Sequence, residues 1–417
     1  MQAPGRLEKI ARVYSGLAVF LLNVGILFVV LNVLAFVGVR VYNRFFLLQT
    51  PLGKYNQDKI MRAYPGWSWA DLQDLLCCSL PYEYEPYTGH RDLPETRRFL
   101  TVDENGFRHV EHQGPWPESK QFVNVFFFGG STSFGSGVRD EDTVASHLQE
   151  ELNRRIGGDH VRVYNFGRVH YFSLQERALL EWLILQGHHP DFAIFLDGLN
   201  DFHRYDGIPM MTKEIKELLH EQEVNRSKDR LGIMLAPFRR LPLVTLAGLI
   251  RDAGAKPDAI DRRSIDELRA EYDVPQLKDA AQRYVTNQGL IRAIAAEQGI
   301  EPLFALQPIT TYHYDINYHV FSEGSLAYFH EANYAGFGYR YLEARKDELT
   351  SHPDFLWLAD MQEGRKENLY CDSVHYTSAF ADEIAHKYAD RMTPWVAAKV
   401  AALPGVTASS AAPSSGG

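Results

Sequence analysis

The chain has 417 residues, 45% hydrophobic, 12% aromatic and 23% charged, the make-up of a globular protein with room for one large domain plus additions. Its formal net charge of -10 and pI near 5.9 lack the surplus of Lys and Arg that phosphate neutralisation needs, which argues against a nucleic-acid partner. Cys77, Cys78 and Cys371 are an odd set that cannot all pair within one chain, so a bridge to Cys371 and buried free thiols both stay open.

The first element follows a short tail, residues 1–16. From Leu17 to Val39 the chain carries no charge, a run of about 23 residues that crosses a bilayer core as a helix. Asn23 and Asn32 are its only strongly polar members, and Gly25 and Gly38 suit a lipid-embedded helix. The rival reading is a cleaved signal peptide, but the run is longer than a usual signal core and Val39-Arg40-Val41-Tyr42 lacks the small-residue cleavage pattern. The segment therefore reads as an uncleaved transmembrane anchor. Arg6, Lys9 and Arg12 before it nearly balance Arg40, Arg44 and Lys54 after it. The short tail and the large following domain fit a signal-anchor with the domain exported, which leads us to expect a single-pass protein of a bacterial inner membrane with its domain in the periplasm.

Residues 40–118 read as an aromatic-rich linking region packed on the domain. Asn105-Gly106 is its one hairpin-turn signal, and Tyr82, Tyr84 and Tyr87 are expected to pack on the core, with sugar stacking as the alternative. From Phe122 onward strand and helix signals alternate. An apolar run Val123–Phe128 precedes Gly129-Gly130-Ser131, and Thr143 opens a helix closed by Gly157-Gly158. Val161–Tyr164 is the second strand, Ser173 to Leu185 the next helix, and Phe192–Leu196 the third strand. A helix near 276 to 298 precedes Leu303–Leu306, and Phe355–Leu358 precedes a final helix after Thr377. Such repeated βα units predict an α/β fold, a parallel-sheet α/β/α sandwich with flavodoxin-like layering, over residues 119–401. A helical insertion at 203–275 interrupts it. Its apolar stretch Leu231 to Ile250, broken by Pro237 and Pro242, is expected to cap the site, with lipid contact as the runner-up. Residues 402–417 are small and polar and are expected to be disordered.

Chemistry-bearing residues collect at the ends of these strands, where open α/β sheets place their sites. Ser131 follows the first strand, Asn165-Phe166-Gly167 the second, and Asp197-Gly198-Leu199-Asn200-Asp201 the third. The loop before the final helix holds Asp372-Ser373-Val374-His375. Each has a plain alternative: Gly167 as a turn, Asn200 and Asp372 as helix caps, Ser133 in place of Ser131 as nucleophile. His170, His188 and His189 lack metal-ligand spacing, and no His-Glu-x-x-His pattern occurs, so no metal is expected.

Together, Gly130-Ser131-Thr132, Asn165-Phe166-Gly167, Gly198-Leu199-Asn200-Asp201 and Asp372-Ser373-Val374-His375 resemble the four blocks of the SGNH hydrolases, or GDSL esterases, over roughly residues 119 to 400. Gly130 and Thr132 stand where that family usually has Asp and Leu, resembling a known Gly-Gly-Ser-Thr variant. The second block lacks the further glycine common in the family, having Arg168-Val169-His170 instead. The resemblance implies a serine esterase or acyl-transfer enzyme without cofactor. Ser131 is then the nucleophile, His375 the base and Asp372 its orienter, with Ser131 N–H, Gly167 N–H and the Asn200 amide as the oxyanion hole. An acylated cell-envelope carbohydrate is the expected substrate, a lipid ester the alternative, and a catalytically silent membrane-anchored scaffold the reading from another class.

Overall fold

The computed structural model describes residues 6–45, 57–76, 81–213, 215–216, 241–254, 265–322 and 324–404. They fall into two compact units. One comprises residues 1–49 and 216–259, the other residues 50–215 and 260–417.

In the first unit, α1 (Arg6–Phe45) contains one stretch, Arg12–Val41, long and apolar enough to cross a membrane, with mean hydropathy 2.7.

The second unit opens with α2 (Gln57–Ala63), α3 (Trp69–Leu76), the hairpin β1 (Tyr82–Glu85) and β2 (Gly89–Asp92), and the short pair β3 (Glu95–Thr96) and β4 (Thr101–Val102). The described part of the linking region thus carries regular helices and strands. Its tyrosines do not pack on the core: Tyr82, Tyr84 and Tyr87 are 42%, 57% and 77% exposed. The reason is that β1 and β2 pair only with each other, so one face of this two-stranded ribbon has no layer to cover it.

Beyond it come β5 (Val123–Gly129), α4 (Ser131–Phe134), α5 (Val144–Ile156), β6 (Val161–Asn165), α6 (Ser173–Leu185), β7 (Phe192–Asp197) and α7 (Leu199–His203). In the first unit, α8 (Pro242–Gly254) packs on α1, the Leu243 N–H donating to Asn32 Oδ1 at 3.3 Å. The described part of the apolar stretch thus belongs to the unit of the apolar helix and not to the unit holding the sheet. The remaining elements are α9 (Ile265–Tyr272), α10 (Gln276–Gln298), β8 (Glu301–Leu306), α11 (Ala332–Glu343), α12 (Lys346–Thr350), β9 (Phe355–Trp357) and α13 (Ser378–Ala401). The tail expected beyond Leu403 lies almost wholly outside the described residues.

Strands β6-β5-β7-β8-β9 form one five-stranded, all-parallel sheet in that order. Because side chains alternate across a strand, Val125 and Phe127 enter one core with Leu148, Leu152, Ile384 and Tyr388, while Phe126 and Phe128 enter the other with Leu180, Tyr284, Ile291 and Tyr339. Phe166, Phe128, Phe195 and Phe304 stack in turn at 5.6, 5.0 and 5.3 Å, tying neighbouring strands on that face. The fold is the doubly wound α/β/α sandwich predicted from the alternating pattern, and its strand order makes a switch between β5 and β7, at whose carboxyl ends Ser131 and Asn200 stand.

Gly129 ends β5 at φ +151, and a Cβ there would lie 1.9 Å from Ser133 Oγ and 2.7 Å from Leu196 O. Gly129→Ala is expected to destabilise the domain by about 3 kcal/mol or more, since it adds backbone strain to a clash with main chain. Chemical denaturation measures this, and a midpoint matching wild type would refute it.

Candidate active site

The Ser131 turn is built by small residues and closed from below. Gly130 precedes it as N-cap of α4, Gly135 (φ +82) ends the helical turn, and the N–H groups of Gly135 and Ser136 both donate to Ser131 O, at 3.1 and 3.0 Å. Being first in the helix, Ser131 has an N–H outside the helical ladder. Arg108, fully buried, pairs with Asp140 at 2.6 Å and donates to the carbonyls of Phe134, Gly135 and Val138. An arginine of the linking region therefore underpins this turn.

The second block closes on it from β6. Asn165 Nδ2 donates to Ser133 O at 2.9 Å, and its Oδ1 accepts the Gly167 N–H at 2.9 Å. A Cβ on Gly167 would lie 2.4 Å from Phe134 N, so the glycine is demanded by close approach and not by a turn. Its N–H, expected as an oxyanion donor, is already engaged by Asn165. The third block arrives from β7. Asn200 does not cap α7, whose N-cap is Gly198; its Nδ2 donates to Tyr171 O at 2.7 Å. A Cβ at Gly130 would meet that Nδ2 at 2.4 Å, which is why the residue before Ser131 is glycine here.

In the fourth block His375 Nδ1 lies 2.6 Å from Asp372 Oδ2, while Asp372 Oδ1 accepts the N–H groups of Val374 and His375 at 2.9 and 2.8 Å. Burial alone raises the Asp372 carboxyl, but the His375 ring and these donors outweigh it and hold it below the usual carboxylate range. Thr377, not Asp372, caps the final helix. His375 Nε2 is buried and has no hydrogen-bond partner among the described residues, so no bond to Ser131 Oγ is formed in this structure. The loop is fastened by Thr310 Oγ1 to Ser373 O at 2.9 Å and by His319 Nε2 to Asp372 O at 2.9 Å.

What joins this loop to the serine turn is Gln307-Pro308, directly after β8. Gln307 Oε1 accepts from Thr132 Oγ1 at 3.3 Å, and the hydroxyl of Tyr376, the residue after His375, donates to the carbonyl of the adjoining Pro308 at 2.8 Å. The neighbours of Ser131 and His375 thus bind two consecutive residues, Gln307 and Pro308, at the end of β8. Sequence reasoning missed Gln307, although the rule that found the other groups, a polar residue at a strand's carboxyl end, points at it too. Ser133, the other candidate hydroxyl, is fully buried with Oγ on Leu196 O, which removes it as the nucleophile. Cys371 is a buried free thiol raised by burial, and its possible partners Cys77 and Cys78 lie outside the described residues.

Behind Asn200, three carboxyls are buried together: Glu176, Asp197 and Asp201. Asp201 accepts from Ser173 Oγ at 2.5 Å, which in turn accepts from Asn287 at 3.0 Å. With every carboxylate ionised, neither Glu176 oxygen has a donor; a proton on Glu176 supplies one, to Asp197. Burial and mutual repulsion raise Glu176 most clearly, so the folded chain binds more protons than the unfolded chain above the ordinary carboxylate range. Stability on this account is full at acid pH and falls as pH rises through the raised values. Glu176→Gln, which keeps a donor without the charge, is expected to remove about 3 °C or more of the Tm loss between pH 5 and pH 8. Identical pH profiles for the two proteins in calorimetry would count against it.

No protein-family model matches this sequence, and no curated protein matches it. Among solved structures it is similar to a protein assigned to the lipolytic G-D-S-L family from Desulfitobacterium hafniense, at 11% identity and TM-score 0.32 over 64% of this chain and 99% of that one. It is also similar to the acetyl xylan esterase AlAXEase, at 16% and 0.30 over 66% and 100% of the chains, and to the psychrotrophic esterase EstA from Pseudoalteromonas sp., at 10% and 0.28 over 66% and 98%. Overlaps this loose carry no weight for chemistry, which rests on the chain's own residues.

Proposed function

We propose that this chain is a membrane-anchored serine esterase, with the observation that carries it being His375: ring fixed by Asp372 at 2.6 Å, Nε2 without a partner among the described residues, on a loop held through Tyr376 to Pro308, next to the Gln307 that Thr132 of the serine turn binds. Ser131 Oγ attacks the ester carbonyl while His375 Nε2 takes its proton, and Asp372 steadies the imidazolium. The oxyanion is held by Ser131 N–H and the second proton of Asn200 Nδ2. Gly167, whose N–H Asn165 holds, contributes the space its missing side chain leaves. His375 then protonates the departing alcohol. Water deprotonated by His375 releases the acid and restores Ser131 Oγ–H, or a second alcohol takes the acyl group instead.

The substrate we favour is an O-acylated carbohydrate of the cell envelope. The exposed Tyr82, Tyr84 and Tyr87, with Trp182 at 5.8 Å from Tyr87, offer rings on which sugars stack. A lipid ester is the second reading, favoured by the apolar α8 packed on α1. Anchoring through residues 17–39, with the sheet domain in the periplasm, puts either substrate within reach.

A fluorophosphonate probe tests the enzyme reading. The folded wild-type chain should be labelled at Ser131 and Ser131→Ala should not; an unlabelled wild type favours the silent scaffold.

A further inference from the structure

One turn after Asn200, Arg204 closes α7, its N–H donating to Asn200 O at 2.8 Å. Its side chain is half-buried, and among the described residues no carboxylate or carbonyl pairs with it. The neighbouring acid, Glu331, feels the charge of Arg204 but makes its close contact with His203 at 2.6 Å.

His170 stands beside it with a second irregularity. Its φ is +66, a left-handed backbone that is uncommon for any residue but glycine. Both flanking carbonyls are fixed, Val169 O on His90 Nε2 at 2.8 Å and Tyr171 O on the Asn200 amide. The imidazole itself has no hydrogen-bond partner among the described residues. Burial first, then the nearby Arg204, His203, His90 and His375, lowers its pKa to about 4, so it is neutral at pH 7 and Arg204 is the standing charge of this wall.

A half-buried guanidinium with no hydrogen-bonded anion has lost water and has only the more distant charge of Glu331 in return, and a carboxylate matches its planar fork with two hydrogen bonds. We propose that Arg204, with His170 beside it, is an anion subsite next to Ser131 that receives a carboxylate carried by the ester substrate. The carboxylate belongs either to the acyl side, as in the half-ester of a dicarboxylic acid, or to the alcohol side, as in an acylated uronic acid. The esterase reading is needed to make this ligand a substrate, but not for the binding itself.

Two measurements on the full chain in detergent keep those claims apart. Calorimetric binding of succinate and of glucuronate is compared between wild type, Arg204→Gln and Arg204→Lys. Turnover is compared for 4-nitrophenyl hemisuccinate against 4-nitrophenyl butyrate, and for acetylated glucuronate against acetylated glucose. At least one carboxylate should bind wild type about 10- to 100-fold more tightly than Arg204→Gln, with Arg204→Lys between them. The ratio of kcat/KM for the matching anionic over neutral ester should fall by a similar factor in Arg204→Gln, and the pair that responds identifies the side carrying the carboxylate. Carboxylate binding that depends on Arg204, with no ester turned over, supports the subsite and sinks the esterase reading alone. Equal binding by wild type and folded Arg204→Gln, or absence of binding to wild type, overturns the subsite; should the glutamine variant not fold, Arg204→Lys binding as tightly as wild type overturns it.

Discussion

Ser131→Ala is expected to lower kcat/KM for a short-chain ester by about 10⁴- to 10⁶-fold with the fold intact. The loss is large because the hydroxyl forms the covalent bond, and nothing nearby replaces it: Ser133 is fully buried against Leu196 O, and Thr132 is committed to Gln307. His375→Ala should cost about as much, since without a base at Nε2 the hydroxyl keeps its proton. The double variant should be no worse than either alone, because both act in one step. Asp372→Asn should fall short of these at about 10⁴-fold, leaving the ring in place with the wrong tautomer. Stopped assays on purified protein, with circular dichroism as the check on folding, read all four. Retention of wild-type turnover in folded Ser131→Ala would remove the mechanism.

Those residues were legible because each sits where a local pattern ends. β5 is an apolar run stopped by glycine, Thr143 and Thr377 accept from N–H groups of the helices they open, and the Asp372–His375 contact spans three residues, so sequence spacing alone brings the groups together. What was not legible comes from far along the chain. Arg108 reaches the carbonyls of the serine turn across about 30 residues, Gln307 meets Thr132 across 175, and Arg168 ties Glu85 at 2.5 Å across 83. No periodicity encodes such pairs. The tyrosines of β1 misled for a related reason, because an aromatic residue is apolar in sequence whether or not a layer comes to cover it, and here none does. Gly167 carries the same lesson at the site itself: the sequence supplies the glycine, but only the fold puts Asn165 Oδ1 on its N–H.

That engagement of Gly167 shifts weight onto the remaining donors, and Asn200→Ala is therefore expected to lower kcat by about 10²- to 10³-fold while changing KM little. A donor aimed at charge that develops only in the transition state contributes to the rate and not to ground-state binding. The Asn200 amide suits this because its bond to Tyr171 O at 2.7 Å fixes its plane before substrate arrives, and Gly130 leaves room for it to lie against the serine turn. Asn200→Asp should be worse than alanine, since a carboxylate there both repels the oxyanion and loses its donation to Tyr171 O. Gly167 enters the same experiment through Asn165. Asn165→Ala frees the Gly167 N–H but removes the Nδ2 bond to Ser133 O that steadies the turn. If Gly167 N–H were the dominant donor, Asn165→Ala would raise kcat and Asn200→Ala would cost less than tenfold; the assignment of Asn200 as principal side-chain donor predicts the opposite on both counts, read from kcat and KM measured separately.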